Sequence, residues 1–534
     1  MLFYAAVPTD MLQPLSRSVS IGTSPHKLFT RPTHLNMKTP TFISDAISGP
    51  QKRPQAANAI IAMTCVLSGV GAMVSTAPML ILVSGAVLCL IILLLWRGDD
   101  PPILLLPALF QWSEVAIVPL STIWLNVSLN ELSSYGADIS MSALYGLLGI
   151  GALSTGMWLG SGVIKGPPLS SRLAEEAKSL TLTHVLTMSM PLIGLGYGFA
   201  ALASSAGSAS QVVSLAANVK CVGLFILTYW CLFRGKGYAI LLCVMAFEVI
   251  FGMTGFFAQF KDSILTFFVA ALAARPKIRA GDVLIVGLAA SLILGVAIFW
   301  SAIKPDYRNF MNQGTGAQVV NVPVSERIDF LSNAASTFDQ AKFADGFERL
   351  VARHGYVEFL SLVMTNIPQS MSHENGKLTV AVFRHITMPR FLWPEKPALP
   401  SDTEVMSKYT GLPMVWNSDT SISIGYLGEL YVDFGYWGGL LASGSIGFVV
   451  GIGFGLIRSE KKASSFVVAG FCLMLALPIA YFGTAYIKMA GSFIMTSAIV
   501  FVLVKFIAPI VYPIRKTALG RGEVMKSYPS PKRI

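Results

Sequence analysis

Between Arg384 and Lys396 the chain places Arg384, His385, Arg390 and Lys396 beside Phe391 and Trp393, four cations or near-cations in thirteen residues. Guanidinium forks grip phosphate oxygens bidentately, and an ammonium adds a point charge. Aromatic rings such as Trp393 stack on the apolar faces of sugars. The set suits a diphosphate joined to sugar rings, and Pro389, Pro394 and Pro397 restrain the chain that carries it. A solvated loop lying on lipid headgroups would read the same way.

Glu429 and Asp433 stand four residues apart, with Tyr431 between them. On a helix they share one face, where a carboxylate can take a proton from a hydroxyl. Their plainer reading is a pair of interface carboxylates at a helix start. Of the nearby histidines, His385 sits among the cations and suits a general base. His354 falls on an apolar stripe and reads as core, and His373 sits in a polar turn and reads as solvent-facing. No HxxH, HExxH or Asp-x-Asp spacing occurs. Neither a zinc site nor a metal-bound nucleotide sugar is expected, and no cofactor is implied.

These residues need elements to hold them, and the composition says which. Of 534 residues, 54% are hydrophobic and 13% charged. Soluble domains carry roughly 25% charged residues, so an ordinary soluble enzyme is excluded, as is a disordered chain. Apolar runs near 58–77, 79–96, 102–124, 141–164, 184–204, 211–233, 238–258, 262–274, 282–303, 436–457, 465–485 and 491–512 predict twelve membrane spans. With the N-terminus inside, 24 of the 39 Lys and Arg fall on inner segments and only Lys261 and Lys488 on short outer loops. The net charge of +11 is therefore mostly topology, and nucleic acid is not expected as a partner.

The expected fold class is an all-α polytopic membrane protein. Residues 1–57 form a polar, disordered inner tail with no signal-peptide core. Nine spans follow over 58–303, an outer segment over 304–423, three spans over 424–512 and a basic inner tail over 513–534. All six cysteines lie in predicted spans and read as packing residues. Charges inside spans default to function, but Lys220 could simply pair with Glu114 or Glu248. Gly447, Gly451 and Gly455 form overlapping GxxxG patterns, which predict close helix packing.

The segment 304–423 is too long for a plain connection. Apolar residues at helical spacing predict one or two amphipathic helices over 326–364, ended by Pro368. A short apolar stretch, 380–400, and a turn-rich stretch, 401–424, complete it.

Many spans, then one long outer loop, a Pro-Arg-x-x-Trp-Pro-x-Lys-Pro element at 389–397, and Gly425, Glu429, Tyr431, Phe434, Gly435 and Gly438 in order: this arrangement resembles the bacterial O-antigen and exopolysaccharide repeat-unit polymerases of the Wzy type. The motifs cover only about 389–439. The resemblance implies a GT-C-like glycosyltransferase of the inner membrane, with 304–423 in the periplasm. It would join oligosaccharide repeats carried on undecaprenyl diphosphate without a metal. A flippase and a chain-length regulator would be its partners beside the bilayer. On that reading Arg384, Arg390, Lys396 and Arg353 hold diphosphates, Trp393 and Tyr431 contact glycan, and Glu429, His385 or Asp433 handles the proton. An O-antigen ligase, which transfers lipid-linked polymer to lipid A-core, and a multispan flippase of lipid-linked sugars are the competing expectations.

Overall fold

A computed structural model describes residues 54–514, apart from 126, 134, 204, 255–259, 275–279, 316–319, 389–392, 394, 397–398 and 414–421. The described residues form helices and no strand; one isolated β-bridge joins Ala463 to Pro513. The two predicted tails lie outside the described residues, save for their first or last few positions.

Each of the twelve predicted segments falls on a helix. Among the described residues, eight helices are long and apolar enough to cross a membrane: Gln55–Val74, Pro78–Leu95, Leu105–Leu125, Ile139–Val163, Leu182–Ala203, Ser210–Arg234, Gly425–Arg458 and Tyr486–Val511. Tyr238–Met253 and Ser465–Ile479 are apolar but shorter. Sixteen residues at 1.5 Å each reach about 24 Å, less than a ~30 Å hydrocarbon core. The chain is an all-α, multi-pass membrane protein.

Its central contact joins Ile139–Val163 to Gly425–Arg458. The backbones meet so closely that a Cβ on Gly156 would sit 2.0 Å from the Gly444 carbonyl oxygen. One on Gly447 would sit 2.1 Å from that of Leu153. The predicted GxxxG packing is present, and its partner is the glycine-spaced face of Gly156 and Gly160. Of the two ion pairs left open by the sequence, the structure has Lys220 with Glu248, at 3.1 Å. Tyr197 and Ser263 hydroxyls also donate to that carboxylate, at 2.7 and 2.6 Å. Three partners surround the buried charge, as its burial requires.

The 304–423 segment departs from expectation in detail. In place of one or two helices over 326–364 there are three: Val324–Ser336, Gln340–His354 and Glu358–Asn366. Asp339 starts the second by accepting from the Lys342 N–H at 2.8 Å, and Gly355 follows its end. Two more helices follow, Lys377–Thr387 and Asp402–Thr410, where a short apolar stretch and turns were expected. A capping box between Ser401 and Glu404 starts the latter. These helices are fastened to the span ends. Gln340–His354 packs on Ala280–Met311, and Glu358–Asn366 on Ile139–Val163 and Gly425–Arg458.

Candidate functional site

The site is organised by a break in the longest helix. Gly425–Arg458 runs through Gly435, whose φ of 69° and ψ of −168° are not helical. A left-handed φ costs a residue with a Cβ, and glycine removes that cost. A turn from the 304–423 segment bonds to the carbonyls just before the break. The Glu374 N–H donates to Val432 O at 3.0 Å. His373 Nδ1 lies 3.1 and 3.3 Å from the carbonyl oxygens of Tyr431 and Val432. Carbonyls only accept, so Nδ1 carries the proton. His373 is thus half-buried in the helix break, and the solvent-facing expectation for it was wrong. The sequence signal was Gly435 itself, but nothing local tied the two together.

Asp433 completes the joint. Its two oxygens accept from the N–H groups of Leu378 and Thr379, at 3.1 and 2.8 Å. Those are the second and third donors of Lys377–Thr387, whose N-cap Gly376 has no side chain to offer; the first, the Lys377 N–H, goes to the Glu374 carbonyl at 3.3 Å. Asp433 is 1% exposed, and a carboxylate there is favoured by the helix dipole. Glu429, one turn earlier and 6% exposed, does the same for Tyr486–Val502 by accepting from the Tyr486 N–H at 3.0 Å. Among the described residues, only its Oε1 accepts a backbone N–H.

The helix held by Asp433 carries Arg384 and His385 of the expected cationic set. Lys377–Thr387 lies across Gly425–Arg458 and Tyr486–Val502, with Ile386 beside Gly491. Arg384 is exposed, and its guanidinium has no hydrogen bond or ion pair among the described residues. His385 follows it, half-buried. Lys396 Nζ donates to the His385 carbonyl at 2.5 Å, which places a cation at the negative end of the same helix. Trp393 is 44% exposed. Tyr431 is buried, its hydroxyl donating to Ile367 O at 3.1 Å and its ring edge-on to Tyr145 and His373. Arg390, the Arg353 side chain and the His354 side chain lie outside the described residues.

Two clamps hold this assembly. Glu374 accepts from Lys408 Nζ at 3.0 Å and Tyr409 Oη at 3.1 Å. The Lys408 hydrogen bond keeps its carboxyl below the usual range. Asp402 pairs with Lys488 at 2.5 Å, tying the Asp402–Thr410 helix to Tyr486–Val502.

Below it, the irregular stretch between Ile479 and Tyr486 is held by carboxylates from other helices. Glu114 accepts from the Phe482 N–H at 2.7 Å, and Asp262 from the Tyr481 hydroxyl at 2.5 Å. Gln111 donates to Ile479 O at 2.6 Å. Backbone outside a helix needs such partners at membrane depth. Asp262 and Tyr481 escaped the sequence reading, because a lone carboxylate near a predicted span end carries no local signal.

The arrangement therefore joins an exposed cationic helix, a buried carboxylate with one engaged oxygen, and a proton-bearing histidine to one broken span. Comparison with protein-family models, curated proteins and solved structures finds no match for this chain.

Proposed function

We propose that this protein is a glycosyltransferase of a bacterial inner membrane, one that joins oligosaccharide repeat units carried on undecaprenyl diphosphate. In this reading all twelve helical segments cross the bilayer in a GT-C-like arrangement, both termini are cytoplasmic and 304–423 faces the periplasm. The observation that carries the proposal is that Arg384 rides on a helix capped by Asp433, with Lys396 bonded to the end of that helix and Glu429 one turn from Asp433 on the same span. Breaking a glycosyl–phosphate bond leaves charge on the departing diphosphate, and fixed cations stabilise that charge. Arg384, Lys396 and Arg390 supply it. The acceptor hydroxyl gives its proton to Glu429 or His385 as its oxygen bonds the anomeric carbon. Trp393 offers a sugar-stacking ring. No metal step is needed, and a flippase and a chain-length regulator would act beside it.

The test is elongation by the purified protein in detergent, with lipid-linked oligosaccharide as the only substrate. A ladder of repeats is the expected product, and Arg384→Ala reduces its rate on the order of a hundredfold. Transfer to lipid A-core without elongation would identify a ligase instead. No product under any acceptor, with substrate crossing vesicles, would identify a flippase.

A further inference from the structure

Helix Lys377–Thr387 has three chemically distinct sides. Val382, 4% exposed, and Ile386 beside Gly491 form its core side. On the open side Val380 is 66% and Phe383 54% exposed, and Lys377 and Arg384 are exposed with them. At about 100° per residue, Lys377 and Arg384 point within about 20° of each other, with Val380 and Phe383 roughly 40–120° to one side. The order around the helix is core, apolar flank, cationic flank.

The apolar flank is continuous with the surface of a candidate span. Gly376, at the start of the helix, sits so that a Cβ would meet the Phe434 ring at 3.7 Å. Phe434, Trp437 and Leu441 are 39%, 77% and 75% exposed, and they continue an exposed apolar side down Gly425–Arg458, one of the candidate spans. The helix therefore lies where an apolar span surface gives way to water. An amphipathic helix in that position buries its apolar side chains at the acyl boundary and turns its cations toward phosphates.

We propose that Lys377–Thr387 is an interfacial lipid-binding element: Val380 and Phe383 enter the acyl zone of the leaflet, and Arg384 and Lys377 hold phospholipid phosphates. Bilayer phospholipid is the occupant because the exposed surface is continuous with the apolar side of that candidate span and carries the complementary charge. Lys377 also lies 3.7 Å from Glu374, a loose pair that leaves it free to turn outward. The element stands whether or not the chain transfers glycans. If it does, a lipid-linked substrate reaches Arg384 sideways, from within the leaflet.

The test uses the full chain in nanodiscs of phosphatidylethanolamine and phosphatidylglycerol. A photoreactive benzoylphenylalanine replaces Phe383 in one variant and Lys377 in another. Irradiation at 383 yields acyl-lipid adducts about tenfold above those at 377, as the two flanks require. Equal labelling, or adducts from 383 to protein alone, would overturn the proposal. A second measurement reads the phosphate contact. Lys377→Gln with Arg384→Gln lowers the phospholipid retained after detergent exchange at least about threefold by native mass spectrometry, and millimolar inorganic phosphate does not displace it from the wild type. Unchanged retention in the double variant, or release by inorganic phosphate, overturns the assignment to lipid.

Discussion

Glu429 and Asp433, one helical turn apart on a broken span, each accept backbone N–H groups at the start of a different helix. Glu429 caps the helix that begins at Tyr486, and Asp433 the helix that carries Arg384. One face of Gly425–Arg458 thus sets the position of both neighbours. For Asp433 the carboxylate is fully used by this, with both oxygens occupied. For Glu429 it is half used, so its structural and chemical roles can be separated by mutation.

Asp433→Ala uncaps Lys377–Thr387 and is expected to lower stability by about 1–2 kcal/mol. Limited proteolysis should open near 377–387 first. Asp433→Asn keeps an acceptor oxygen and should lose less. Glu429→Gln likewise keeps an acceptor for the Tyr486 N–H, so the protein folds while elongation falls. Full elongation by Glu429→Gln would remove that residue as a proton acceptor.

His373 and Gly435 should behave as one joint. His373→Asn places an amide nitrogen where Nδ1 was and preserves the bond to the carbonyls of Tyr431 and Val432. His373→Ala loses it and leaves the break unfilled. Thermal unfolding should rank wild type, Asn and Ala in falling order. Gly435→Ala forces a Cβ onto a positive φ, 3.3 Å from His373 Nε2. It should cost about 1–3 kcal/mol.

Acid should loosen the turn at 373–376 before it unfolds the spans. The carboxyl of Glu374 is held below its usual range by Lys408. A depressed carboxylate stabilises the fold above the unfolded value, about 4.3, and loses that contribution as pH falls through its lower folded value. Hydrogen exchange across 373–410 should therefore rise below about pH 4. In Lys408→Met the rise should come at higher pH. An identical profile in the two proteins would assign the loosening to another group.

The contact between Ile139–Val163 and Gly425–Arg458 leaves no room for a methyl group. A Cβ on Gly447 would lie 2.1 Å from Leu153 O, and one on Gly451 2.4 Å from Met157 O. Gly447→Val should force the helices apart and cost several kcal/mol, read as lost folded yield. Gly162, with nothing near its Cβ position, should accept Ala without loss.

The Lys220–Glu248 pair predicts a non-additive result. Lys220→Met strands a buried carboxylate and should cost about 3–5 kcal/mol. Adding Glu248→Gln, which removes the stranded charge, should recover much of that loss in the unfolding midpoint.

The membrane class, the positions of the apolar helical segments and the GxxxG packing face were legible in the sequence, because hydropathy and residue size act over one turn or one span; the helices Lys377–Thr387 and Asp402–Thr410 were not. So was the spacing that puts Glu429 and Asp433 on one face, and the clustering of Arg384, His385 and Lys396. What those groups meet was not legible. That Asp433 caps a helix beginning 56 residues earlier, at Lys377, or that His373 fills a break at Gly435, depends on contacts between segments far apart in the chain. His373 looked solvent-facing because its neighbours in sequence are polar. The carbonyls that hold it belong to a helix about sixty residues away, beside its break at Gly435. Local residue patterns encode which elements form, and only tertiary packing decides which buried donors and acceptors are left for one another.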